Sequence, residues 1–129
     1  MTTIAEVRAG LAETIEDFTG VKAYGYAPAV VSPPCVFPAG LTVDPATQDG
    51  GRQIELALWC CVPATHDQFQ ERLDGFVIGD ESVTAAIEWT PDLGLTGVSA
   101  VWVSAGDYGL DEWAGVPLWV ARVSVEVAF

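Results

Sequence analysis

The stretch Gln53-Ile54-Glu55-Leu56-Ala57-Leu58-Trp59-Cys60-Cys61-Val62 reads as the clearest interior strand. Ile54, Leu56, Leu58, Cys60 and Val62 fall on one side, and Gln53, Glu55, Ala57, Trp59 and Cys61 on the other. Successive side chains of an extended chain point to opposite faces, so a period of two marks a strand with one face in a core. The other face is mixed. The same alternation returns at the end of the sequence, from Val116 to Phe129. There Trp119, Ala121, Val123, Val125, Val127 and Phe129 oppose Arg122, Ser124 and Glu126.

Outward from these strands the period changes. Ile4, Val7, Leu11, Ile15 and Phe18 recur at helical spacing, with Glu6, Glu13, Glu16 and Asp17 turned away from the stripe. Thr3-x-x-Glu6 is a capping box and Gly20 a left-handed stop, which predicts a helix from about Ile4 to Thr19. Val21 to Tyr26 reads as a short strand. Pro28, Pro33, Pro34 and Pro38 then predict an extended edge or a surface crossing, because proline cannot donate to a central ladder. Leu41 to Val43 is briefly strand-like, and Asp44 to Arg52, with Gly50-Gly51 and no apolar periodicity, reads as an exposed, mobile loop.

Beyond Pro63, Thr65-x-x-Gln68 predicts a second capping box. It would open a helix with Phe69, Leu73, Phe76 and Val77 on its apolar stripe, closed by Gly79. Asp80 or Ser82 caps a short helix through Val83, Ala86 and Ile87 to about Trp89, terminated by Thr90-Pro91-Asp92-Leu93-Gly94. Val98 to Ala105 is a strand. Gly106-Asp107-Tyr108-Gly109 is a turn or bulge leading into Leu110 to Trp113, and Ala114-Gly115 is a tight reversal. Helices and strands segregated in this order predict an α+β fold. A mostly antiparallel or mixed sheet carries the N-terminal helix and two central helices on one face, in a single domain spanning 1–129.

Composition narrows the function classes. The 129 residues carry 18 Asp+Glu against 5 Lys+Arg, a formal net charge of −13, with 50% hydrophobic residues. Five Trp, five Phe and three Tyr supply the apolar area that disordered acidic chains lack. There is no basic stripe for phosphates, which argues against direct nucleic-acid binding. No run reaches the roughly 18 apolar residues of a spanning helix. The start, Met1 to Glu6, reads as a helix start lacking a basic n-region, so synthesis in the cytoplasm is expected.

Reactive constellations are sparse. His66, the single histidine, falls in the first turn of the expected second helix, a position normally solvated. Three cysteines give no Cys-x-x-Cys pair, and the adjacent Cys60 and Cys61 must point to opposite faces, so neither metal nor cofactor is expected. Asp80-Glu81 and Asp111-Glu112 are acid pairs at element ends, best read as solvated surface. Gly50-Gly51 has no P-loop lysine beside it. No catalytic set is assigned. Large apolar residues on the more polar strand faces are more informative: Trp59 shares a face with Gln53 and Glu55, Trp102 with Ser104, and Trp113 adjoins a hairpin turn. Their ordinary reading is a second layer of core under the helices. The alternative is that they anchor a protein interface, where Trp is enriched.

Several segments together resemble one family. They are the opening Thr2-Thr3-Ile4-Ala5-Glu6-Val7-Arg8, Val21-Lys22-Ala23-Tyr24-Gly25-Tyr26-Ala27-Pro28 with Pro33-Pro34, and Ala85-Ala86-Ile87-Glu88. Thr90-Pro91-Asp92-Leu93-Gly94 and the ending from Ser104-Ala105-Gly106-Asp107-Tyr108-Gly109 to Val125-Glu126-Val127 complete the set. The chain resembles the tail terminator proteins of long non-contractile-tailed phages of actinobacteria, similar in role to the minor tail protein U of lambda-like phages. The cues are patterns of common residues over nearly the whole chain. Cys60-Cys61 and the Trp count depart from the family pattern.

The resemblance implies a non-enzymatic virion protein at the head-proximal end of the tail. It would form a ring, usually hexameric, on the completed tail tube, block further tube addition, offer a docking surface to head-tail neck proteins and leave a lumen through which DNA passes unbound. The segment Asp44, Gln48, Asp49, Gly50, Gly51 and Arg52, together with Trp59, Trp102 and Trp113, supplies the interface candidates. Two other classes fit the same sequence: another neck protein, joining or stopper, and an acidic regulatory protein whose charge imitates a phosphate surface.

Overall fold

The computed structural model describes residues 2–44, 53–65 and 67–129. In chain order the elements are α1 (Ile4–Thr19), β1 (Lys22–Ala23), β2 (Cys35–Asp44), β3 (Gln53–Pro63), α2 (Phe69–Val77), α3 (Val83–Trp89), β4 (Ser99–Trp113) and β5 (Val116–Ala128). The strands form one sheet in the order β1-β2-β3-β5-β4. Only the β1–β2 pair is parallel; the other three neighbour pairs are antiparallel. The helices cover one face, which is the α+β arrangement expected. The loop from Asp44 to Arg52 lies outside the described residues except for Asp44, where β2 ends, and His66 also lies outside them.

Local chemistry sets α1 as its sequence suggests. Thr3 Oγ1 accepts from the Glu6 amide at 3.1 Å, and Gly20, at φ 74°, closes the helix with its amide on Glu16 O at 2.9 Å. Val7, Leu11 and Ile15 are buried against the sheet. The second box does not form. The N-cap position of α2 is Gln68, with no side-chain cap bond, and Thr65 sits in a turn before it. The turn after Pro63 delays the helix to the start of its apolar stripe, where burial of Leu73, Phe76 and Val77 stabilises it without a cap. Ser82, not Asp80, caps α3: its Oγ accepts from the Ala85 amide at 3.1 Å.

Three strand boundaries differ from expectation. Val21 to Tyr26 shrinks to the two residues of β1, extended by one further bond from the Tyr24 amide to Val36 O at 2.9 Å. Gly25 then passes so close to α1 that a Cβ there would stand 3.3 Å from Ala9 Cα. The proline-rich stretch resolves into β2, which begins at Cys35 and includes Pro38. Pro38 is tolerated because β1 pairs only with Cys35 and Val36, leaving the outer side of β2 open beyond them, and the register shifts between Pro38 and Gly40. Finally, Val98–Ala105 and Leu110–Trp113 fuse into the 15-residue β4. Two register shifts against β5, at Trp102/Ser104 and Ala105/Asp107, absorb the glycine-containing stretch.

The main core lies between sheet and helices, with Ile54, Leu56, Leu58, Cys60 and Val62 of β3 and Val123, Val125 and Val127 of β5 at its centre. Each large apolar side chain so buried contributes roughly 1.5–3 kcal/mol relative to exposure. A second, smaller cluster sits on the opposite face: Val31, Cys35, Phe37, Cys61, Leu118 and Val120.

Candidate interaction surfaces

Cross-strand register assigns the paired strand residues to faces. Phe37, Trp59 and Arg122 are directly opposite one another on β2, β3 and β5, on the face away from the helices. Phe37 and Trp113 ring centroids lie 5.1 Å apart, and those of Trp59 and Trp113 lie 5.4 Å apart in an edge arrangement. Trp113 Nε1 donates to Pro28 O at 2.9 Å, which ties the crossing segment onto this aromatic group. Arg122 lies over Trp59, 5.5 Å from its centroid, and donates to Asp111 at 2.8 Å, with Asp107 at 3.8 Å. Two of the three candidate tryptophans are therefore engaged within the chain, in a second apolar layer that lies on the face away from the helices rather than under them.

Trp102 is placed differently. It pairs with Val125 on the helical face, whereas Ser104 pairs with Ser124 on the opposite face. The register shift between them separates residues that strict alternation would put together. Trp102 reaches the margin of α3, where its Nε1 donates to Glu88 Oε1 at 2.7 Å, and it stays 37% exposed.

The cysteines fall on both faces. Cys35 and Cys61 are cross-strand partners, and Cys60 points into the main core. A hydrogen bond from the Cys61 thiol holds Cys35 below the usual thiol range and pushes Cys61 up, while burial pushes Cys60 up. Fully enclosed thiols of raised pKa are poor nucleophiles and metal ligands. Among the described residues no group of three or more His, Cys, Asp or Glu side chains gathers as a metal site, and no helix is long and apolar enough to cross a membrane.

Of the two sheet margins, sequence pointed only to the proline-containing one, read as an extended edge or a surface crossing; the β4 margin was not singled out. Along β4 the outer backbone has no neighbouring strand among the described residues, and the same is true of β2 beyond Val36. Each margin carries exposed apolar side chains: Leu41 and Val43 on β2, Val101 and Val103 on β4. Val43, Ile54, Val127 and Ala100 form one cross-strand row, so both apolar margins lie toward the same end of the sheet. Only the strand order brings them to comparable positions on its two sides. Trp89, at the end of α3, is 79% exposed and was likewise absent from the sequence-derived candidates.

The sequence matches no protein-family model and no curated protein.

Proposed function

We propose that the protein is a ring-forming phage tail terminator, a virion structural protein that caps the completed tail tube and presents a docking surface to the head. What supports this reading, beside the sequence resemblance, is the pair of open sheet margins. Unpaired strand edges are templates for pairing with another chain, and two different edges on one subunit make a heterologous contact, which closes into a ring when the rotation allows. The directions are compatible. β2, β3, β5 and β4 alternate antiparallel in turn, so β4 of one copy beside β2 of the next would continue the same alternation.

In this reading the β4 backbone of one subunit pairs with the β2 backbone of its neighbour, with Leu41 and Val43 on the helical face of the continued sheet and Val101 on the opposite face. Trp102 and the segment from Asp44 to Arg52 are the contact candidates for the tail tube and neck proteins, and the mechanism is binding and blocking rather than covalent chemistry. DNA passes a lumen without specific contacts. Sedimentation of the purified chain with tail-tube protein tests this. The expected result is a species near six times the 13.7 kDa chain mass. Placing lysine at Val101 and Val103 should abolish it at unchanged subunit stability. A monomer under all those conditions, or a ring indifferent to both substitutions, overturns the reading.

A further inference from the structure

A cleft of about 580 Å³ separates α1 from the α3–β4 connection. Its apolar surface comes from Ala9, Phe18, Leu95 and the exposed Trp89, and three carboxylates, Glu6, Glu13 and Asp17, stand along its α1 side. The cleft is built in. At Gly10 a Cβ would lie 2.9 Å from Leu93 O and 3.0 Å from Leu95 Cδ1, so glycine lets the helix meet the connection at the cleft floor. Leu93 in turn takes φ 53° to make that turn, while its side chain is buried.

The charges on this cleft are unbalanced. Glu16, on the neighbouring side of the same helix, has Lys22 at 3.4 Å and the Ala23 amide at 3.1 Å. Among the described residues Glu13 and Asp17 have no cation within ion-pair distance. They are four residues apart, where like charges repel, and Asp17 lies in the last turn, where the helix dipole disfavours an anion. Both penalties are relieved by an external cation at the same place. An exposed Trp beside an apolar cleft adds a large anchoring surface and an aromatic face for a cationic side chain.

We infer that this cleft docks a basic amphipathic segment of a partner protein, its apolar side chains against Trp89 and Phe18 and its Lys or Arg residues on Glu13 and Asp17. A second copy of this chain is a poor occupant, since it brings −13 rather than cations. The proposal does not rest on the ring reading, which concerns the sheet margins.

The test uses the full chain and a synthetic helical peptide of leucine and lysine, with a counterpart carrying glutamate in place of every lysine. Amide shift mapping should place the lysine peptide along Ala9–Phe18 and Trp89–Leu95, and the glutamate peptide should not bind. The double reversal Glu13→Lys/Asp17→Lys should weaken binding roughly tenfold or more, as should raising salt from about 0.02 M to about 0.3 M. Trp89→Ala should weaken it by a similar factor. The control reversal Glu71→Lys/Glu81→Lys makes the same change in net charge elsewhere and should cost much less. Equal losses from both reversals, shifts confined to another surface, retention of affinity in Trp89→Ala, or no binding at all would overturn the proposal. Shift mapping on the unsubstituted chain decides the location even where a variant is poorly folded, and oligomeric state is read separately.

Discussion

Glu16 joins α1 to the first strand through one carboxylate. The Ala23 amide bond, opposed by partial burial and aided by Lys22, holds its pKa below the ordinary carboxylate value. A depressed folded pKa contributes stability above the unfolded pKa, which is lost as pH falls through the folded value. Because the pair is well exposed, the contribution is modest, about 0.5–1 kcal/mol. Glu16→Gln should lose that amount at neutral pH and unfold with a shallower acid dependence, measured by urea titration from neutral to acid pH. Tyr108 behaves oppositely. Burial and the bond from its hydroxyl to Asp74 Oδ1 at 2.6 Å push its pKa up to about 12. Its stabilising effect is complete below the unfolded tyrosine value near 10 and declines as pH rises through about 12. Ultraviolet titration should show a late phenolate step that Tyr108→Phe removes; an unchanged curve contradicts the assignment. Neither residue stood out in sequence, because each depends on a partner supplied by another element: Ala23 beyond the helix stop, Asp74 on α2.

At the scale of elements, what was legible was what local chemistry decides. The limits of α1 follow from Thr3, Glu6 and Gly20, all within or beside the helix, and the alternation of β3 and β5 follows from burial of one face. In β4 the shift at Ala105/Asp107 falls where the glycine-containing stretch was read as a turn or bulge, but the shift at Trp102/Ser104 was not legible, since a bulge is defined against the partner strand; this is why Trp102 and Ser104 were placed on one face. Two substitutions probe such constraints. Gly10→Ala adds helix propensity of about 1 kcal/mol, but overpacking a close backbone contact costs about 1–3 kcal/mol. With Leu93 O only 2.9 Å from the new Cβ, net destabilisation is expected in denaturant unfolding. The hairpin between β4 and β5 turns through Ala114 at φ 52° and Gly115 at φ 81°, a pair of left-handed residues suited to Asn-Gly. Ala114→Asn should raise stability by about 0.5–1 kcal/mol, seen as a later urea midpoint at constant slope.

The whole molecule combines a strongly anionic body with a sheet that, among the described residues, is open along β4 and along β2 beyond Val36. Six copies in a ring would bring together six charges of −13, so apolar and backbone contacts at each boundary must outweigh repulsion. Salt shortens the Debye length from about 30 Å at 0.01 M to about 10 Å at 0.1 M, so rings should gain population as salt rises at fixed protein concentration. Dissociation on adding salt would mean that ion pairs hold the boundary, and would count against the strand-margin contact. The buried cysteines carry a consequence for watching such a molecule come apart. With Cys60 sealed beneath the helices and Cys35 and Cys61 sealed beneath the aromatic cover, a thiol-specific reagent can modify them only during openings. Alkylation rates followed by fragment-ion sequencing, which separates the adjacent Cys60 and Cys61, therefore time the loosening of each side of the sheet separately, giving the molecule two internal clocks without an added label.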